Sequence, residues 1–151
     1  MSRNLFYFGL EPLKQRYTYQ LSEQWIPDTF KDSYLNFIPL KGPESDQEIK
    51  VGAVLDATGR GIYSLGQCQE FLRLINDGTV QDGDIVLLQD YWTPGLESIF
   101  YALDLYGYKD IKFYAMLHAQ SVDEYDFTWE MKSWMRPFEL GIDQRMSGIF
   151  V

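Results

Sequence analysis

Ile85-Val86-Leu87-Leu88-Gln89-Asp90-Tyr91-Trp92-Thr93-Pro94 carries an aliphatic run straight into a polar, aromatic segment. Four consecutive aliphatic residues leave no polar side, which predicts a strand buried on both faces, as strands of a parallel sheet are. The run then breaks into polar and aromatic residues. Thr93-Pro94 offers an N-cap and a proline at the first helical position, where its missing N–H is no loss. Leu96, Ile99, Phe100, Leu103 and Tyr106 follow at helical spacing, and Gly107 offers a C-terminal cap.

The same alternation extends outward in both directions. Toward the C-terminus, Ile111 to Leu117 reads as another strand. Ser121 with Glu124 forms a capping box, Pro137 must break the helix running through Trp129 and Trp134, and Gly148 to Val151 reads as a last strand. Toward the N-terminus, Ser64 with Gln67 is a second capping box. It opens a helical face of Leu65, Cys68, Phe71, Leu72 and Ile75 that Asn76-Asp77-Gly78 ends. Val51 to Leu55 reads as a short strand or extended segment before Asp56, and Lys41 to Glu48 as a solvated loop. Tyr34 to Ile38 is a strand ended by Pro39. Leu13, Tyr17, Leu21 and Trp25 stripe a helix over 13–26 that Pro27 closes, and Leu5 to Phe8 is a first strand ending at Gly9. Strands and helices in alternation with short connections imply right-handed βαβ crossovers. The expectation is one doubly wound, mostly parallel α/β domain over residues 1–151, Rossmann-like and flanked by helices.

Composition narrows the function classes. The chain has 151 residues, 46% hydrophobic and 23% charged, which fits a globular domain and excludes a disordered one. The net charge is −9, and beyond residue 50 seven basic side chains face fifteen acidic ones. That balance repels a phosphate backbone, so nucleic-acid binding by this domain alone is not expected. One cysteine, Cys68, allows no intrachain disulfide and sits in an apolar helical pattern as a small core residue. No secretory signal or membrane-length apolar run is present, so the expectation is a cytoplasmic protein that does not insert into a membrane. One histidine and one cysteine do not make the usual soft-ligand metal sites, and no metal is expected.

Ligands of open α/β sheets bind beyond the carboxyl ends of the strands. That rule selects Gly9-Leu10-Glu11, Asp56 to Arg60, Gln89 to Thr93, and His118 to Ser121. His118, directly after a strand, is the candidate catalytic residue, because an imidazole titrates near neutrality and can take a proton from a hydroxyl nucleophile. The other reading of His118 is a histidine tied to a backbone carbonyl. Asp90, Tyr91 and Trp92 are candidate binding residues, since aromatic faces stack on sugars or bases and a carboxylate accepts from hydroxyls. They are also open to the reading that Asp90 caps a helix and Trp92 merely packs. Glu11 and Arg16 are further candidates, with Arg16 positioned to hold an acidic group, unless the two pair at the surface. Thr58-Gly59-Arg60-Gly61 lacks the spacing of a phosphate loop and reads as a flexible turn.

Gly9-Leu10-Glu11-Pro12-Leu13-Lys14-Gln15-Arg16-Tyr17-Thr18, Gly83-Asp84 with Gln89 to Glu97, and Leu117 to Ser121 with Tyr125 to Thr128 resemble stretches of bacteriophage-type glycosyltransferases of the GT-B fold. Gly148 to Val151 resembles the strand after which those proteins continue into a second Rossmann-like domain. The resemblance implies an N-terminal, acceptor-side half of such an enzyme, working with a second Rossmann-like domain in cis or in trans. It implies a nucleotide-sugar donor as co-substrate, a sugar acceptor, no bound metal or other cofactor, and His118 in the cleft with Glu11, Asp90 and Trp92 around it. The alternative is a non-catalytic α/β module that recognises a partner protein or small ligand.

Overall fold

A computed structural model describes residues 3–14, 16–43 and 57–151 of the chain. Five strands, β1 (Asn4–Phe8), β2 (Asn36–Leu40), β3 (Ile85–Leu88), β4 (Lys112–Met116) and β5 (Met146–Phe150), form one sheet in the order β2-β1-β3-β4-β5. Every neighbouring pair is parallel. This is a doubly wound α/β fold of Rossmann-like type. In this strand order the topological switch lies between β1 and β3, because the chain leaves β1 toward β2 on one side and returns on the other.

Side chains alternate across the pleat and build two cores. Phe6, Phe8, Val86, Leu88, Phe113 and Ala115 face one way. They meet Cys68, Phe71 and Ile75 of α3 (Ala57–Asn76), Leu96, Ile99 and Leu103 of α4 (Leu96–Tyr106), and Ile142 of α5 (Lys132–Asp143). Leu5, Tyr7 and Leu87 face the other way, against Leu21, Ile26 and Phe30 of the helical run that begins with α1 (Tyr17–Gln20) and ends with α2 (Ile26–Phe30). The central strands β1 and β3 are thus covered on both faces, as the aliphatic run at 85–88 predicts. No helix among the described residues is long and apolar enough to cross a membrane.

Several local expectations change, each for a physical reason. Of the stripe of Leu13, Tyr17, Leu21 and Trp25, Leu21 packs on the core but Tyr17 and Trp25 are exposed, and Thr18, Ser22 and Ile26 are buried instead. Pro27 does not close the helix. A π turn over Leu21–Trp25, in which the Ile26 N–H reaches back to the Leu21 carbonyl, precedes α2. It widens the helix where a proline has no N–H to offer and its ring crowds the carbonyl four residues back. Pro39 lies inside β2 and is tolerated because β2 is an edge strand. The turn expected at Thr58–Gly61 is the first turn of α3, which starts ahead of Ser64. Ser64 and Gln67 are therefore interior and fully buried, and cap nothing.

The cap of α4 is Gly95 in the left-handed conformation, φ 90°, while the Thr93 hydroxyl donates to the Asp90 carbonyl at 2.7 Å. Ser121 and Glu124 precede a 3-10 turn, Phe127–Met131, that is capped by Asp126. Pro137 falls inside α5 without ending it. The segment read as Val51 to Leu55, and most of the loop from Lys41 to Glu48, lie outside the described residues. At Gly42 the chain passes so close to α3 that a Cβ would stand 1.9 Å from the Tyr63 carbonyl oxygen.

Candidate functional site

The segments leaving β1, β3 and β4 enclose a cavity of about 580 Å³ at the carboxyl edge of the sheet. That size suits a small molecule. Glu11, Arg16, Asp90, Trp92 and His118 all line it, as does Arg60 from the first turn of α3. Tyr91 does not reach it.

Gln89 supports the lining from behind. It follows β3 directly at the switch point, fully buried, and its Oε1 accepts from Tyr7 Oη at 2.7 Å, from Leu10 N at 2.8 Å and from the Ser22 hydroxyl. One amide oxygen thereby ties the end of β1 to the π turn. Gln67 does the matching work from α3, its Nε2 donating to the carbonyls of Gly9 and Leu40, both at 2.9 Å. Gly9-Leu10-Glu11 is therefore held from two sides, which brings Glu11 to the cavity. Glu11 is 5% exposed, so it is not the surface residue that pairing with Arg16 would suggest.

His118 Nε2 lies 2.8 Å from the Gln89 carbonyl oxygen. A carbonyl only accepts, so Nε2 carries the proton and, in the neutral ring, Nδ1 holds the lone pair. His118 is thus tied to a backbone carbonyl, as one of its two readings has it, and it also lines the cavity. The tie fixes its tautomer, as orienting partners of basic histidines do.

Asp90 Oδ1 accepts from Trp92 N at 3.1 Å, and Oδ2 stands 3.7 Å from Arg60 Nη2. Burial pushes the Asp90 carboxyl above the usual range, against the opposing pull of Arg60, the Trp92 amide and His118. Burial likewise pushes the Arg60 guanidinium down, with Asp90 the leading group opposing that shift. Arg60 Nη2 also donates to the Trp92 carbonyl at 3.3 Å, while Nη1 is buried with no hydrogen-bond partner among the described residues.

Trp92 is set by α5. Its Nε1 donates to Glu139 Oε1 at 3.1 Å, Phe138 stacks on its ring at 5.4 Å, and Trp134 meets it edge-on. Glu139 also accepts from the Ser121 amide at 3.0 Å and from the Ser121 hydroxyl. Tyr91 is buried in the core, its hydroxyl 2.7 Å from the Glu139 carbonyl oxygen and 2.8 Å from Asp143 Oδ1. It anchors α5 and so supports Trp92 from behind. Cys68 is buried too, and burial pushes its thiol up to about 12, which keeps it protonated and unreactive.

Strand-end reasoning missed the outer wall. Phe127, Met131, Trp134 and Met135 line the cavity, from the 3-10 turn and the start of α5. Their spacing is a helical stripe, and that was the available signal. Gln89 falls in the strand-end stretch at 89–93, but its bonds to Tyr7, Leu10 and Ser22, and those of Glu139 to Trp92 and Ser121, have no local signal, because the partners come from distant elements.

Fold and site together define a doubly wound α/β domain with a small-molecule-sized cleft at the switch-point edge of its sheet. Comparison with protein-family models, with curated proteins and with solved structures gave no match.

Proposed function

We propose that this domain forms the acceptor side of a sugar-transfer cleft, as one Rossmann-like half of a GT-B-type glycosyltransferase. The observation that carries the reading is the meeting of His118, Asp90 and Glu11 on one cavity, with His118 held by the Gln89 carbonyl. Nδ1 of His118 takes the proton of an acceptor hydroxyl as its oxygen attacks the anomeric carbon of the donor. The bond to the nucleotide diphosphate breaks, and its electron pair leaves with the phosphate. Asp90 accepts from a neighbouring acceptor hydroxyl, Arg60 offsets its charge, and Trp92 offers an apolar surface for the sugar ring. The donor nucleotide is the business of the second domain that the resemblance implies.

The test is transfer of labelled sugar from a panel of nucleotide sugars to simple alcohol and glycoside acceptors by this domain together with the second, donor-binding domain, in cis or in trans. The expected outcome is labelled acceptor, reduced about 100-fold or more in His118→Ala, the scale of a lost general base. Absence of glycoside and alcohol binding by this domain, or transfer that His118→Ala leaves intact, contradicts the reading.

A second reading, a non-catalytic module for a small ligand or a partner protein, draws on the exposed aromatic side chains Tyr17, Phe127 and Trp134 at the cavity. It predicts tight binding of a ligand that His118→Ala leaves unchanged, and no transfer.

A further inference from the structure

The chemistry of the cavity is divided by place. Of its polar groups, His118, Asp90 and Arg60 gather at the carboxyl edge of β3 and β4 and the start of α3, while Glu11 and Arg16 come from the segment after β1. Its apolar groups stand in two walls on either side of β3. Tyr17 comes from the segment after β1, and Phe127, Met131 and Trp134 come from the segment after β4. The sheet order β1-β3-β4 puts those two segments on opposite flanks of Asp90. Tyr17 is 72% exposed and Trp134 56% exposed. Flat rings left in water beside a cavity lose that contact only when something apolar lies on them. A bare sugar can stack on one such ring, but it has too little apolar surface to cover two walls.

We propose that the acceptor is amphipathic: an alcohol or sugar hydroxyl at His118 and Asp90, carried on a flat apolar ring that lies between Tyr17 and the Phe127–Met131–Trp134 wall. This deepens the proposed function and rests on it for the identity of the reacting group, but not for the apolar half. Methionine suits such a wall, because its unbranched thioether adapts to rings of different outline.

The experiment is a titration of the ¹⁵N-labelled protein followed by amide and indole resonances, with three probes: phenyl β-glucoside, methyl β-glucoside and 2-phenylethanol. Supporting results are shifts at the Trp92 and Trp134 indoles with phenyl β-glucoside and 2-phenylethanol, and methyl β-glucoside at least tenfold weaker than its phenyl counterpart. Trp134→Ala and Phe127→Ala, both at exposed positions and expected to fold, should each erase most of that preference. Equal binding of the two glucosides overturns the inference and leaves the sugar-site reading standing. Binding of 2-phenylethanol with neither glucoside supports the amphipathic ligand and overturns the sugar. Binding of none of the three overturns both.

Discussion

Replacing Gln89 with leucine roughly keeps the volume and removes the oxygen on which Tyr7, Leu10 and Ser22 converge. Each buried donor left without a partner costs about 1–3 kcal/mol, so Gln89→Leu should lose about 3 kcal/mol or more in urea unfolding. Glu139 offers a subtler contrast. Glu139→Gln keeps an acceptor for the Trp92 indole, whereas Glu139→Ala frees the ring. The alanine variant should shift and broaden the Trp92 indole resonance, and the glutamine variant should largely preserve it.

Asp90 makes a pH prediction. Its native carboxyl titrates above the ordinary range because it is buried, so the native state holds that proton more tightly than the unfolded chain. The associated stability is present below the unfolded value, about 3.9, and is lost as pH rises through the raised native value. Asp90→Asn stands in for the protonated form. The wild type should therefore gain stability relative to Asp90→Asn as pH falls from 7 toward 4, a trend read from paired unfolding curves. The cavity groups Arg60, His118 and Glu11 are shared by both proteins. At this scale His118, Asp90 and Trp92 were legible, because a strand's end is visible in sequence. The same rule points to Tyr91, yet its side chain turns into the core while Asp90 and Trp92 on either side line the cavity.

Among elements, misreadings gather where tertiary contacts overrule a local pattern. Ser64 and Gln67 match a capping box, but α3 continues through them because Gln67 is needed inside, bonding the ends of β1 and β2. Pro137 matches a helix breaker, but α5 is held from outside by Glu139, Tyr91 and the Trp92–Phe138 stack. The π turn answers Pro27, and periodicity does not announce such a turn. Two glycines separate kinds of constraint. Gly107 has φ 81° with open space around it, so Gly107→Ala should cost only the left-handed backbone, about 1–2 kcal/mol. Gly42→Ala drives a Cβ into the Tyr63 carbonyl, and the backbone must move. Its thermal midpoint should fall further than that of Gly107→Ala.

For the whole molecule, the alternation of strand and helix carried the parallel doubly wound sheet, since a short right-handed crossover is nearly the only way to join such strands. Strand order was not legible. It depends on which side of β1 each crossover lands, and that is set by the packing of α3 against Phe6 and Phe8 rather than by any local run. The order matters for function, because it places the switch point at β1 and β3 and so gathers Glu11, Asp90 and His118 from segments far apart in the chain. The most direct measurement is a crystal structure of the protein soaked with phenyl β-glucoside. The account predicts a glucoside hydroxyl within hydrogen-bond distance of His118 Nδ1 or Asp90, and the phenyl ring against Trp134 or Tyr17. A glucoside bound elsewhere on the molecule, with this cavity empty beside it, contradicts it.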